Sequence, residues 1–129
     1  MHHAHKAYGK TAKEAAAPRD LEAMLLLEAA AKLQVVRDRW QDSRQNPRPP
    51  KPSGLDDAVL YNRKLWTIFI DALIREDNQL PELLRHNLLR LGVYIMAETF
   101  SLMTEPKPQH LESIIRINRG IAAGLRSKA

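Results

Sequence analysis

The sequence predicts an all-α protein, a single-domain bundle of four main helices. Apolar residues recur at steps of three and four along four long segments, which is the period of a helix buried on one side. Alternating apolar and polar runs and the glycine turns of β-hairpins, which indicate strands, do not occur in the chain. Its 129 residues, 44% of them hydrophobic, are enough for one domain with a core and too few for two.

The first predicted helix extends from Arg19 to Gln41. It follows an N-terminal segment, residues 1–17, that is rich in alanine and polar residues and has little beyond Tyr8 to anchor it. We therefore predict that residues 1–17 form a flexible arm. After the helix, residues 42–54 contain four prolines within six positions, which excludes a helix or a strand interior. This segment is predicted to be an exposed, basic, Pro-rich loop between helices 1 and 2.

The second predicted helix extends from Leu55 to Glu76 and contains the most informative segment of the chain, residues 60–73. This segment has more large apolar side chains than one packing face buries, and three consecutive polar residues lie among them: Asn62, Arg63 and Lys64. Either the helix is packed on several sides, or part of its surface is left for a partner.

Two aromatic side chains in this segment have different expected roles. Aromatic residues at helical spacing belong to bundle cores more often than to surfaces that stack nucleic-acid bases, so we assign Trp66 mainly to the core. Tyr61, together with Asn62, is expected on the flank of the apolar face, where a partner can reach it.

The third predicted helix, Pro81 to Thr104, has two apolar stripes. The first consists of Leu84, Leu88, Leu91 and Ile95, and the second of Leu89, Val93, Met96, Phe100 and Met103. Two stripes predict a helix that is buried on two sides. Gly92 in mid-helix costs about 1 kcal/mol relative to alanine, which a close helix crossing would justify.

The fourth predicted helix, Gln109 to Leu125, has a single apolar stripe that Asn118 interrupts. An asparagine in such a position is either a buried polar group with its hydrogen bonds satisfied or a contact that sets the register of helix pairing.

Composition excludes several classes of function. The chain has no cysteine, so disulfides, thiolate zinc sites and cysteine nucleophiles are absent. It has no recognisable signal peptide and no apolar stretch near the ~20 residues of a membrane span, so we expect a soluble, cytoplasmic protein. No phosphate loop or catalytic motif occurs, which predicts a protein that is not an enzyme and takes no cofactor. His2, His3 and His5 give the arm an incidental affinity for copper(II) rather than a functional metal site.

Four segments together resemble the FlaF family, the flagellar biosynthesis regulators of flagellated alphaproteobacteria. They are Pro18-Arg19-Asp20-Leu21-Glu22-Ala23-x-Leu25-Leu26, Leu60-Tyr61-Asn62-Arg63-Lys64-Leu65-Trp66-Thr67, Glu76-Asp77-Asn78-x-Leu80-Pro81 and Ile115-x-Ile117-Asn118-Arg119-x-Ile121-Ala122-Ala123-Gly124-Leu125. The opening around Tyr8 is also similar, so the resemblance covers nearly the whole chain. The Pro-rich loop is the part that least resembles the family.

The resemblance implies a small helical cytoplasmic protein that promotes flagellin synthesis and export. It implies flagellin as a client, held by a secretion chaperone, and FlbT as an opposing partner. An apolar groove on a helical protein covers an amphipathic helix, and the net charge of +5 favours an acidic client.

We place the expected client groove between the second and fourth helices. Leu65, Trp66 and Ile121 are expected near its floor, and Tyr61, Asn62, Arg63, Asn118 and Arg119 are expected to surround it with polar contacts. Two other functions remain open. One is a post-transcriptional regulator that acts on flagellin messenger RNA directly or through FlbT, and the other is a structural adaptor in flagellar assembly.

Overall fold

In the computed structural model, residues 18–42 and 51–127 are described. They form four helices: α1 (Pro18–Asp42), α2 (Leu55–Leu73), α3 (Glu82–Thr104) and α4 (Pro108–Arg126). All regular secondary structure within these ranges is helical, which confirms the all-α prediction and its number of helices. The predicted flexible arm and residues 43–50 of the predicted Pro-rich loop lie outside the described residues.

The four helices form a ring in which each packs against two neighbours. α1 contacts α2 and α4, and α3 contacts the same two helices, whereas α1 and α3, like α2 and α4, lie diagonally across the core. Short connections join α2 to α3 and α3 to α4, so consecutive helices are antiparallel. The bundle therefore has four outer grooves, one between each pair of neighbours.

The interface between α1 and α4 is the most extensive of the four. Ala23 and Ala30 lie fourteen and seven residues before Arg37, on the same row of α1. Arg37 Nε pairs with Glu112 Oε2 of α4 at 3.4 Å. Both alanines are fully buried, as is Ala122 of α4. Their small side chains let the two helices approach closely along most of their length.

The core contains apolar side chains from every helix. Its largest fully buried members are Leu26, Leu33 and Val36 of α1, Leu55 and Trp66 of α2, Ile95 and Leu102 of α3, and Leu111 and Ile114 of α4. Burial of side chains of this size stabilises the fold by about 1.5–3 kcal/mol each. Within the described ranges, none of the four helices is long and apolar enough to cross a membrane.

Helix α2 ends at Leu73, three residues before the predicted end at Glu76. Side chains from beyond the helix bind its last carbonyl groups in place of a further helical turn. The side-chain amide of Asn78 donates to Ala72 O at 3.0 Å, and Arg85 Nη1 of α3 donates to Leu73 O at 2.9 Å. These bonds satisfy acceptors that a helix end otherwise leaves to water.

The prediction that α3 is buried on two sides is wrong. Its inner side packs into the core, but three residues of the second stripe are largely exposed: Val93 at 69%, Phe100 at 67% and Met103 at 60% of their surface. In a ring of four, each helix has neighbours only on its inward side, and no further helix in the described residues covers the outer side of α3.

Gly92 lies at a close crossing of α3 and α2, as the sequence predicts. A Cβ atom at this position would lie 2.9 Å from Cγ1 of Ile70 and 3.6 Å from the ring of Trp66. The crossing thus explains why a residue of low helix propensity occupies the middle of α3.

We expect opposite effects of alanine at two helical glycines. Gly92→Ala should lower the free energy of unfolding by about 1 kcal/mol, because the clash with Ile70 exceeds the gain in helix propensity. Gly120→Ala in α4 should raise it by about 0.5–1 kcal/mol, since a Cβ there meets no atom within 4 Å. Urea unfolding followed by circular dichroism measures both changes. Stabilisation of similar size in both variants would contradict the close crossing.

Candidate partner-binding surface

A chain of three hydrogen-bonded polar side chains crosses the core between α2 and α4. Trp66 Nε1 donates to Asn118 Oδ1 at 3.0 Å, and Asn118 Nδ2 donates to Asn62 Oδ1 at 2.7 Å. All three side chains are 2% exposed or less. Asn118 is therefore a bonded polar group inside the core, and it links two helices that lie diagonally across the bundle.

This arrangement corrects the groove predicted between the second and fourth helices. Because α2 and α4 face each other across the core, the space between them is filled with side chains and is not an open surface. Leu65 and Trp66, the expected groove floor, are 7% and 2% exposed, and Asn62 and Asn118, expected as accessible contacts, are 1% and 0% exposed. The expected open groove and the expected accessibility of Asn62 are wrong, whereas the burial of Trp66 agrees with its assignment to the core and that of Asn118 with a satisfied polar group. The effect of the four residues on partner binding stays a prediction.

The remaining predicted residues do not share one surface. Tyr61 is half-buried at the seam with α1, where Lys32 Nζ lies 4.9 Å from the centre of its ring. Burial, then a hydrogen bond to Glu28 and the charge of that carboxylate, raise the pKa of the Tyr61 hydroxyl, which stays protonated at neutral pH. Ile121 is half-buried against the core on α4.

Arg63 and Arg119 are exposed as expected, but they lie on different sides of the bundle. Arg119 lines a groove between α1 and α4. Arg63 belongs to the row of α2 that continues through Trp66 and Ile70, the two residues that approach Gly92 of α3. The eight predicted site residues are therefore divided among the core, a seam and two outer grooves.

An apolar surface that does face solvent runs along α3. We call it the α3 stripe, and it consists of Leu89, Val93, Met96, Phe100 and Met103. These residues are three or four positions apart, so they form one continuous ridge on the helix. Leu89 and Met96 are half-buried, and the other three are exposed.

The α3 stripe lies on the side of α3 that turns toward α2. Leu89 and Met96 share a row of α3 with Arg85 and Gly92. Both of the latter contact α2: Gly92 lies against Ile70, and Arg85 donates to Leu73 O. The opposite flank of α3 carries Glu98, whose carboxylate lies 3.2 Å from Nδ1 of His110 on α4. The stripe is thus one wall of the outer groove between α2 and α3.

The other wall is formed by α2, along the row of Arg63, Ile70 and Ile74, which we call the α2 edge. Ile70 is half-buried, and Ile74 is 59% exposed. The contacts between Arg85 and Leu73 and between Gly92 and Ile70 set the antiparallel register, which places Arg63 near the level of Met96. Arg63 forms no ion pair with another residue in the described ranges.

The α3 stripe and the α2 edge together have the features of a helix-binding groove. The walls are apolar, and Ile70 closes the floor of the groove by packing against Gly92. The guanidinium of Arg63, which has no ion pair within the described residues, borders the groove. An amphipathic helix fits such a groove by inserting residues of its apolar face at steps of three and four. Within the described residues no group of three His, Asp or Glu side chains is arranged to hold a metal ion.

The sequence shows the residues of the α3 stripe as an apolar repeat but does not indicate that they are exposed to solvent. The second stripe of α3 is visible as a helical repeat, and only the assumption of burial on both sides hid its exposure. The informative pattern is the pair of short connections that flank α3, because they leave it two neighbours and one uncovered side.

The family model described as flagellar protein FlaF matches residues 4–125 of this chain. The chain belongs to the FlaF family of flagellar proteins. The matched range includes all of α1 to α3 and nearly all of α4, and with them every residue of the α3 stripe, the α2 edge and the buried polar chain. Comparisons with curated proteins and with solved structures found no match. The FlaF resemblance drawn from the sequence is thereby confirmed, and with it a flagellar role.

Proposed function

We propose that this flagellar protein is a cytoplasmic secretion chaperone for flagellin that promotes flagellin synthesis and export. The observation that carries the proposal is the exposed α3 stripe, an apolar ridge without a partner inside the described bundle. Solvent exposure of Val93, Phe100 and Met103 is unfavourable for the free protein, and a bound helix would remove it.

The expected client has the complementary surface. Flagellin ends in long amphipathic helices that must not assemble before export. Such a helix would lay its apolar face on the α3 stripe, with one side chain every three or four residues packed against the exposed Val93, Phe100 and Met103. Covering this face would keep flagellin from polymerising while it waits for secretion.

The positive charge of the protein is expected to speed its association with an acidic client more than to strengthen the complex. The chain has a formal net charge of +5, and Arg63 lies on the α2 edge with no ion pair among the described residues. A cation on the border of an apolar groove attracts acidic residues on the polar flank of a client helix and sets the helix orientation. We expect this contribution to weaken as salt is added, because exposed charges are screened.

A second candidate function is regulation of flagellin messenger RNA, directly or through FlbT, and a third is an adaptor between FlbT and flagellin. The exposed arginines favour the RNA alternative. The apolar α3 stripe does not, because RNA binding depends on phosphate contacts and base stacking rather than on aliphatic ridges.

Two binding measurements separate the chaperone from the RNA regulator. We expect the purified protein to bind flagellin, and we expect flagellin leader RNA to bind weakly, without sequence preference, at physiological salt. Isothermal titration measures the first interaction and a gel shift the second, with a scrambled RNA of equal length as the control. No flagellin binding, together with sequence-preferring and steeply salt-dependent RNA binding, would reject the chaperone in favour of the RNA regulator.

A further inference from the structure

The groove between α1 and α4 is cationic. It is open to solvent and has a volume of about 560 Å³. Three arginines and one glutamate line it, together with uncharged residues: Gln34, Arg37, Glu112, Ile115, Arg116, Arg119 and Gly120. It lies on the side of the ring opposite the groove between α2 and α3, because α1 and α4 are the other pair of neighbouring helices. The protein therefore has an apolar outer groove and a basic one on opposite faces.

Two guanidinium groups in this groove are available to a ligand. Arg37 Nε already pairs with Glu112 at 3.4 Å, and this ion pair closes one end of the groove. Arg116 and Arg119 are exposed, and neither forms an ion pair within residues 18–42 and 51–127. Arg126, seven residues after Arg119, continues the basic row for a total of about 15 Å along α4.

The floor of the groove suits a peptide chain. Ile115 is 4% exposed and forms an apolar base. A Cβ atom placed on Gly120 would meet no other atom within 4 Å, so a partner's backbone can approach α4 there. Arginine guanidinium groups bind carboxylates through paired N–H donors. A partner with acidic side chains three or four positions apart on a helix matches the spacing of Arg116 and Arg119.

RNA fits this groove less well than an acidic protein segment. Single-stranded RNA is held by aromatic side chains that stack on its bases, and no aromatic residue lines the described groove. We propose that the α1–α4 groove is a second interaction site, which binds an acidic segment of a protein partner while the α3 stripe remains free for its own client.

The test uses fluorescence anisotropy with the full chain and two labelled probes of equal length. One probe is poly-L-glutamate of about 15 residues, and the other is polyuridylate of about 15 nucleotides. The peptide should bind the wild-type protein more tightly than the RNA. Arg116→Gln/Arg119→Gln should weaken peptide binding by about fivefold or more, since two charge-assisted contacts are lost.

A matched control removes the same charge from another exposed surface. Lys64→Gln on α2, combined with Arg75→Gln just after the end of α2, should change peptide affinity by less than about twofold, because these residues lie outside the groove. Equal losses in both double variants, no peptide binding, or tighter binding of the RNA would each overturn the proposal. The assay contains no flagellin, so its failure leaves the chaperone proposal standing, and failure of the chaperone proposal leaves this site standing.

Discussion

Asn118→Ala should lower the free energy of unfolding by about 2–4 kcal/mol, a large part of the total stability of a domain of this size. The substitution removes the acceptor of Trp66 Nε1 and the donor to Asn62 Oδ1, and both of these atoms lie in the core. A buried polar atom without a partner costs about 1–3 kcal/mol, so the loss exceeds that of an ordinary surface hydrogen bond. Urea unfolding monitored by circular dichroism measures the change.

Asn62→Ala is the matched control because it removes an end member of the same hydrogen-bonded chain, whereas Asn118 is its middle member. It leaves only Asn118 Nδ2 without an acceptor. It also removes Asn62 Nδ2, a buried donor that has no partner among residues 18–42 and 51–127. We expect a smaller loss of about 1 kcal/mol. A loss of stability as large as that of Asn118→Ala, or larger, would show that the Asn118 amide is not the most important member of the hydrogen-bonded chain.

Phe100→Glu should weaken flagellin binding by about 30-fold or more while the protein stays folded. Phe100 is 67% exposed in the free protein, so replacing it changes stability by less than about 0.5 kcal/mol. In a complex the ring of Phe100 would be a central anchor of the α3 stripe. Loss of such an anchor costs about 2 kcal/mol or more of binding free energy. The glutamate adds the further cost of burying an unpaired carboxylate in the interface. Isothermal titration against flagellin measures the affinity, and thermal unfolding checks the fold.

Ile68→Glu is the control for this prediction. Ile68 is 63% exposed, nearly the same as Phe100, but it lies on the opposite side of α2 from Ile70, which contacts Gly92. The Ile68 variant should bind flagellin as the wild type does. Unchanged binding by the Phe100 variant, or equal losses in the two variants, would contradict a binding site on the α3 stripe. Trp66→Ala is unsuitable for this purpose, because removal of a buried indole disturbs the core itself.

The helices could be predicted from the sequence because periodicity and proline act locally. The apolar repeat predicted α1 and α4 to within a residue or so of their observed bounds. The end of α2 could not be predicted in this way, since it depends on bonds from Asn78 and Arg85, which lie beyond the helix.

The candidate site was harder to predict because it depends on the arrangement of the helices around the ring. Leu88 and Val93 both belong to apolar rows with three- and four-residue spacing on α3. Leu88 is nevertheless half-buried, whereas Val93 is exposed. Asn62 looked accessible because it stands beside Arg63 and Lys64 in the sequence. Its burial follows from the diagonal placement of α4, which brings Asn118 within 2.7 Å.

The central claim is that the α3 stripe contacts the client, and site-specific photo-crosslinking tests it most directly. A benzophenone side chain would replace Phe100 in one variant and Ile68 in another, and each variant would be irradiated with flagellin. We predict a crosslink from position 100 to a terminal helix of flagellin, and little or none from position 68. A crosslink from position 68 that equals or exceeds the one from position 100 would contradict the assignment.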